Sequence, residues 1–260
     1  MSNAAVAMET SNVIQFEVLK FPKPKPTSSK ARVYSDRDSQ EGKSKEVYAF
    51  RTEEEIKAMI DVFDNRIANA HTAVRRQNAR RNKMLFLVGT NIGLRASDLV
   101  TLRFSFFLDE ESDGKFKFKD YYTLQPKKQR KAKKFVKLFF NDVVKVAIMD
   151  YLEEYPFDSI EDYLFPSQEG DGAITTCTLW RIIKGAAKEA GVEQNIGSHS
   201  LRKSFGYAVY HNAKDKNNAL IVLQQIFAHS SPQVTARYIG LVDEDIESAF
   251  NSVNIGLEYL

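Results

Sequence analysis

One cysteine in 260 residues leaves this chain with no intramolecular disulfide and no cysteine-based zinc site. Histidine is scarce as well, and its four copies are scattered without metal-ligand spacing, so neither metal catalysis nor a bound cofactor is expected. Long apolar runs are missing: nothing approaches the roughly 20 consecutive apolar residues of a membrane-spanning helix. No glycine-rich phosphate loop is present. The first residues, "MSNAAVAMETSNV", have no cationic start and no apolar core, which argues against a secretory signal and for a cytoplasmic protein.

What is there fits a globular chain, with 43% hydrophobic and 12% aromatic residues. The net charge is only +3, but the cations are clustered. "RRQNARRNK" (Arg75 to Lys83) and "KKQRKAKK" (Lys127 to Lys134) are dense in positive charge, while "EEYPFDSIED" (Glu153 to Asp162) is acidic. That distribution suggests one face built for a polyanion, although a single such run is as often a solvated surface.

Residues 1–47 are polar and rich in Pro, Ser and Lys, show no period of 2 or 3.6, and read as a flexible basic arm. Order is expected from "RTEEEIKAMIDVFDNRI", where Thr52 and Glu55 have capping-box spacing and Ile56, Met59, Ile60 and Phe63 recur at helical intervals. A second helix should run from about Val74 and stop at a left-handed Gly93. "ASDLVTL" follows as a short helix. Between Phe104 and Phe140 the pattern changes to strands: "FSFFL", a turn at "ESDG", then "YYTL" and "KFVKLFF" in a small antiparallel sheet with the basic run at a hairpin tip. Helices resume over Asp142 to Glu154, Thr176 to Ala190, Ser200 to Asn212, Ala219 to Phe227, Pro232 to Ile239 and Asp243 to Val253. The expected fold is a mostly helical α+β domain over residues 48–260.

Three short stretches carry candidate chemistry. In "IGSHSLRKSF", His199 and Arg202 are three apart, so a helix starting near Ser198 puts both on one face beside its exposed backbone N–H groups, an arrangement that favours an anion. In "AHSSPQVTARYIG", a serine caps a helix that begins at Pro232, which leaves His229 in the loop and places Tyr238 two turns in, one helical row from Thr235. In "TNIGLRASDLVTLR", Arg95 sits on the turn after Gly93. Each alone is equally an ordinary capped helix with a satisfied histidine or a half-buried tyrosine.

Read in order, the three stretches resemble the tyrosine recombinase (phage integrase) family from about Thr52 to Gly240. Its first box, Gly-Leu-Arg with an acid three residues on, is matched by Gly93, Leu94, Arg95 and Asp98. The second, His-x-Leu-Arg, is matched by His199, Leu201 and Arg202. The third, a histidine ahead of a helix bearing the nucleophilic tyrosine, is matched by His229, Ser230, Thr235 and Tyr238. The family keeps a catalytic lysine on a β-hairpin; Lys127 fits best, with Lys128 the alternative.

The resemblance implies an integrase-type catalytic domain acting on double-stranded DNA, without metal or ATP. Arg95, Arg202 and His229 would bind the scissile phosphate, Tyr238 would attack it, His199 would take the tyrosine's proton and Lys127 would protonate the leaving oxygen. Asp98 would support Arg95 or its turn. Lys128, Arg130, Lys131, Lys133, Arg75 and Arg76 would touch DNA. It also implies a homotetramer on paired DNA sites, a monomer or weak oligomer when free, and a C-terminal segment, with Ile246, Phe250 and Val253, that docks on a neighbouring subunit or folds back on its own core. Two departures stand out: the family's glycine before the third-box histidine is Ala228, acceptable only with ordinary dihedrals, and residues 1–47 cannot form the family's helical core-binding domain. A DNA-binding regulator that keeps the fold with little recombination is the alternative reading, and a topoisomerase-like relaxing enzyme ranks below it.

Overall fold

Thr52 accepts a hydrogen bond from the Glu55 N–H while the Glu55 carboxylate returns to the Thr52 N–H, the capping box that opens helix α1 (Glu53–Ala68). In this computed structural model, which describes residues 46–111, 115–126, 135–241, 248 and 250–253, α1 packs on α2 (Ala73–Ile92). Helix α2 stops at Gly93, whose φ of 64° is left-handed; a Cβ there would meet the Phe205 ring at 2.5 Å, so glycine is required by both strain and space. A single turn, α3 (Ala96–Leu99), follows directly.

"FSFFL" is not a strand. Phe104–Phe106 form a 3-10 turn, because Phe104, Phe107 and Leu108 all go into the core, a demand that period-2 alternation cannot meet. Four short strands follow, in two antiparallel pairs rather than one sheet: β1 (Leu108–Glu110) with β2 (Phe116–Phe118), and β3 (Tyr121–Leu124) with β4 (Val136–Phe139). Tyr121 lies opposite Phe139 and Leu124 opposite Val136, so β3 and β4 converge on the basic run, which itself lies outside the described residues.

Among the described residues the helices that follow are α4 (Asp142–Glu154), α5 (Thr176–Glu189), α6 (Ser198–Asn212), α7 (Lys216–Phe227) and α8 (Pro232–Ile239). Helix α2 lies at the centre, against α1, α4 and α6. Its Met84, Leu85, Phe86 and Val88 are buried in one large core that runs through α1, the strands, α4 and α5 to Leu201 of α6. A second, much smaller core holds Leu223 and Phe227 of α7 with Ile239 and Leu241 at the end of α8. Among the described residues no helix is long and apolar enough to cross a membrane.

Two boundaries differ from expectation. Helix α6 begins at Ser198, two residues early, because Gly197 and Ser200 form a reciprocal cap that brings His199 into the first turn. Helix α7 begins at Lys216 because Asp215 caps it. Most of the expected last helix lies outside the described residues; Phe250 and Val253, which are described, are exposed.

Candidate active site

Arg95 stands immediately before α3, in extended conformation at φ −68° and ψ 149°, and its side chain does not cap that helix. Arg202 is on the inward face of α6 and is 4% exposed. The two guanidinium groups meet on one acceptor: each donates to the Phe227 carbonyl, Arg95 at 3.2 Å and Arg202 at 3.0 Å. Arg202 also donates to the Gly93 carbonyl at 2.5 Å and lies over the Phe227 ring, 4.2 Å from its centroid. Two adjacent cations on a helix-terminal carbonyl form a fork of oriented donors, which an anion would satisfy better than one neutral oxygen.

Electrostatics express the same crowding. Burial lowers the Arg202 pKa to about 10, the Tyr238 and Asp98 charges oppose that fall, and the neighbouring Arg95 adds to it. Asp98 is buried at 3% exposure, and its N–H closes the turn on the Arg95 carbonyl. It therefore supports both arginines, Arg95 through the backbone and Arg202 through charge.

The third element is the turn between α7 and α8. Ala228 ends α7 at φ 50° and ψ 49°, the left-handed region, and is the one non-glycine with positive φ among the described residues. Alanine at this position is unstrained only with ordinary dihedrals, and the structure does not give it those, because the chain reverses tightly so that the Phe227 carbonyl faces the arginines while His229 folds back over α8. The His229 Nδ1 lies 3.1 Å from the buried Thr235 hydroxyl, and its ring meets Tyr238 edge to face at 5.0 Å. Burial, then the Arg202 and Arg95 charges, lower the His229 pKa to about 4, so the imidazole is neutral at physiological pH.

Tyr238 projects from α8, a helix capped by Ser231 with Pro232 in its first turn. Its hydroxyl lies within the field of the Arg202 and Arg95 guanidinium groups. Burial raises its pKa, while the Arg202 and Arg95 charges pull the other way, so the phenol carries its proton at neutral pH. On its far side the Lys203 ammonium lies 5.5 Å from the ring centroid.

His199 sits at the rim. It is exposed on the first turn of α6 and lines a cavity of about 380 Å³ with Arg95, Ser97, Thr176, Cys177 and Ser198. Residues of the first turns of α3, α5 and α6 all line this space.

Five expected residues, Arg95, Asp98, Arg202, His229 and Tyr238, thus belong to one constellation, and His199 joins it through the cavity that it lines with Arg95. Arg76 and Arg75 do not join it. Arg76 pairs with Glu154 at 2.9 Å, because α4 packs on α2 and brings its last residue, Glu154, to cations that suggested a polyanion face. Arg80 pairs with Asp150 and Glu154, and the buried Arg81 donates to the Pro166 carbonyl. Arg75 lines a separate shallow cleft with Arg66 and Asn78. Lys127, Lys128, Arg130, Lys131 and Lys133 lie outside the described residues. Sequence reasoning missed Lys203, although it directly follows Arg202, and the Phe227 carbonyl, which no side-chain pattern reveals.

The sequence model described as "Phage integrase family" matches residues 50–244. A Bacillus subtilis (strain 168) protein, "Probable integrase/recombinase YoeC", is 35% identical over 178 residues, which are 68% of this chain and 87% of that protein. Two solved structures share the fold: XerA recombinase, with a TM-score of 0.56 at 23% identity over 79% of this chain, and the XerH site-specific recombinase bound to palindromic difH substrate, with 0.55 at 21% over 80%. The match spans 64% of the XerA chain and 54% of the XerH chain.

Proposed function

Because this chain belongs to the phage integrase family of tyrosine recombinases, we propose that it is a site-specific DNA recombinase that cuts and rejoins strands through a covalent 3′-phosphotyrosine. One observation carries the proposal: Arg95 and Arg202 converge on the Phe227 carbonyl, and the Tyr238 ring packs against Phe227 and His229 beside them. A phosphodiester placed in that fork has its non-bridging oxygens on two permanent cations and its phosphorus beside the phenol.

Tyr238 is protonated at rest, so attack needs a base, and His199 at the cavity rim takes the proton. The phenolic oxygen bonds to phosphorus as the bond to the 5′-oxygen breaks, and Lys127 delivers a proton to that leaving oxygen. His229, kept neutral, binds the phosphate through Nε2–H once the Thr235 hydroxyl turns its single proton from the Ser231 carbonyl to Nδ1. The phosphotyrosine retains the energy of the broken bond, so a 5′-hydroxyl from another strand reverses the sequence without a nucleotide triphosphate. Each arginine donor contributes on the order of 3 kcal/mol to lowering the barrier.

Residues 48–260 form the catalytic domain, onto which Glu46 is already anchored, and the chain before it is a basic arm for sequence-independent phosphate contacts. The working assembly is a homotetramer on two paired DNA sites. The test is trapping: a nicked duplex that loses its cleaved end gives a covalent protein–DNA adduct with the wild type and none with Tyr238→Phe. An adduct with the variant shows that another residue is the nucleophile, and DNA binding without any adduct favours the regulator reading.

A further inference from the structure

The segment ahead of α1 is tied to the tyrosine's surroundings at both of its ends. At one end the Glu46 carboxylate holds Lys203 at 2.8 Å, and that lysine, only 8% exposed, is the cation behind the Tyr238 ring. At the other end Arg51 donates to the Gly240 carbonyl at 3.3 Å, two residues past Tyr238, at the end of α8. Between them the Tyr48 N–H donates to the Asn195 carbonyl at 2.9 Å, and the Phe50 N–H to the buried Ser204 hydroxyl of α6 at 2.7 Å.

The approach at Gly240 is close. Its φ is +86°, and a Cβ there would collide with the Arg51 guanidinium. Arg51 is itself held, by its N–H to the Glu55 carboxylate at 2.7 Å and by its guanidinium 5.2 Å from the Tyr207 ring centroid. Helix α8 needs such help. It has 8 residues, too few to persist alone, and it rests on the smaller core. In-line attack tolerates little error, since a displacement of about 1 Å can cost 100-fold in rate.

We propose that residues 46–51 are a strap that sets the position of Tyr238, with Arg51 as the positioning residue that fixes the end of α8 through the Gly240 carbonyl. The inference rests on Tyr238 being the nucleophile. Arg51 touches no reacting atom: it satisfies a terminal carbonyl of the short helix and complements the negative end of its dipole.

Single-turnover adduct formation on the trapping substrate, at saturating DNA, separates this role from a general loss of structure. Arg51→Ala should slow the rate constant about tenfold or more while the reaction amplitude, which counts folded active sites, and the Kd for DNA stay at wild-type values. Arg51→Lys, which can still donate to the carbonyl, should recover most of the rate. An unchanged rate constant in Arg51→Ala overturns the strap, as does a loss confined to amplitude or to DNA affinity. Failure of the underlying reading looks different, since Tyr238→Phe would then still form the adduct.

Discussion

At Ala228 one side chain carries a measurable strain. A left-handed alanine costs roughly 1–2 kcal/mol against glycine, and here that cost is held because the turn brings the Phe227 carbonyl to both arginines and His229 back to Thr235. Ala228→Gly should therefore raise stability by about 1 kcal/mol, a gain reduced somewhat by the freer unfolded chain, and move the melting temperature up by roughly 2–4 °C for a domain of this size. Calorimetry decides it; a lower melting temperature would mean that the left-handed turn is not populated. His229 gives a second prediction at the same scale. Its proton leaves at an ordinary pKa of 6.5 in the unfolded chain but at about 4 in the folded one. Across that window the unfolded state holds more protons, so stability rises with pH, is complete above 6.5 and is lost as pH falls toward 4. Melting curves from pH 4 to 7.5 should show this acid loss in the wild type and a shallower one in His229→Gln. Identical slopes in both proteins would remove His229 as the group responsible.

At the scale of helices, close packing of α6 on the α7–α8 pair brings Arg202 to the Phe227 carbonyl at the end of α7. Gly206 permits it: a Cβ there would lie 2.7 Å from Ile239 Cγ2 and 2.9 Å from the Phe227 ring. Helix propensity alone would make Gly206→Ala stabilising by up to about 1 kcal/mol, whereas overpacking costs about 1–3 kcal/mol. The second effect should win, with a lower denaturant midpoint and slower adduct formation together; a more stable variant would show that the helices are not in close contact. The basic run on α2 behaves in the opposite sense from its appearance. Arg76 and Arg80 hold α4 through Glu154, and the hydrogen bond from Arg76 holds the Glu154 carboxyl below its usual range. Arg76→Ala should leave the salt dependence of DNA binding unchanged, whereas removing a true phosphate contact lowers the slope by about one. Such a drop would mean that the Glu154 pair opens on DNA. Helix boundaries were legible wherever caps announced them, as at Thr52, Gly93 and Ser231. The pairing of charges 78 residues apart was not, because a cation run does not say whether an acidic run folds onto it. "FSFFL" misled for a related reason: burial on every side erases the alternation by which a strand is recognised.

Considered as a whole, the molecule assembles its candidate site from two bodies of unequal robustness. Arg95 and Arg202 come from elements anchored in the large core, while His229 and Tyr238 come from the α7–α8 pair on the small one. The motif residues and their order could be read along the chain, but this division could not, since it depends on which apolar faces meet rather than on their spacing. Its consequence is dynamic. Elements with few buried apolar contacts open at lower free energy than central ones, so Tyr238, the proposed nucleophile, belongs to the part of the fold most ready to move relative to Arg95 and Arg202. Hydrogen exchange should show α8 opening well before α2 and α6. A duplex bound to the Tyr238→Phe variant should then protect α8 more than α2, because the phosphate would join the arginines to His229 and link the two bodies. Equal exchange of α8 and α2 without DNA would mean one cooperative unit. Unequal exchange with no added protection of α8 on DNA would mean that the phosphate does not bridge the two bodies.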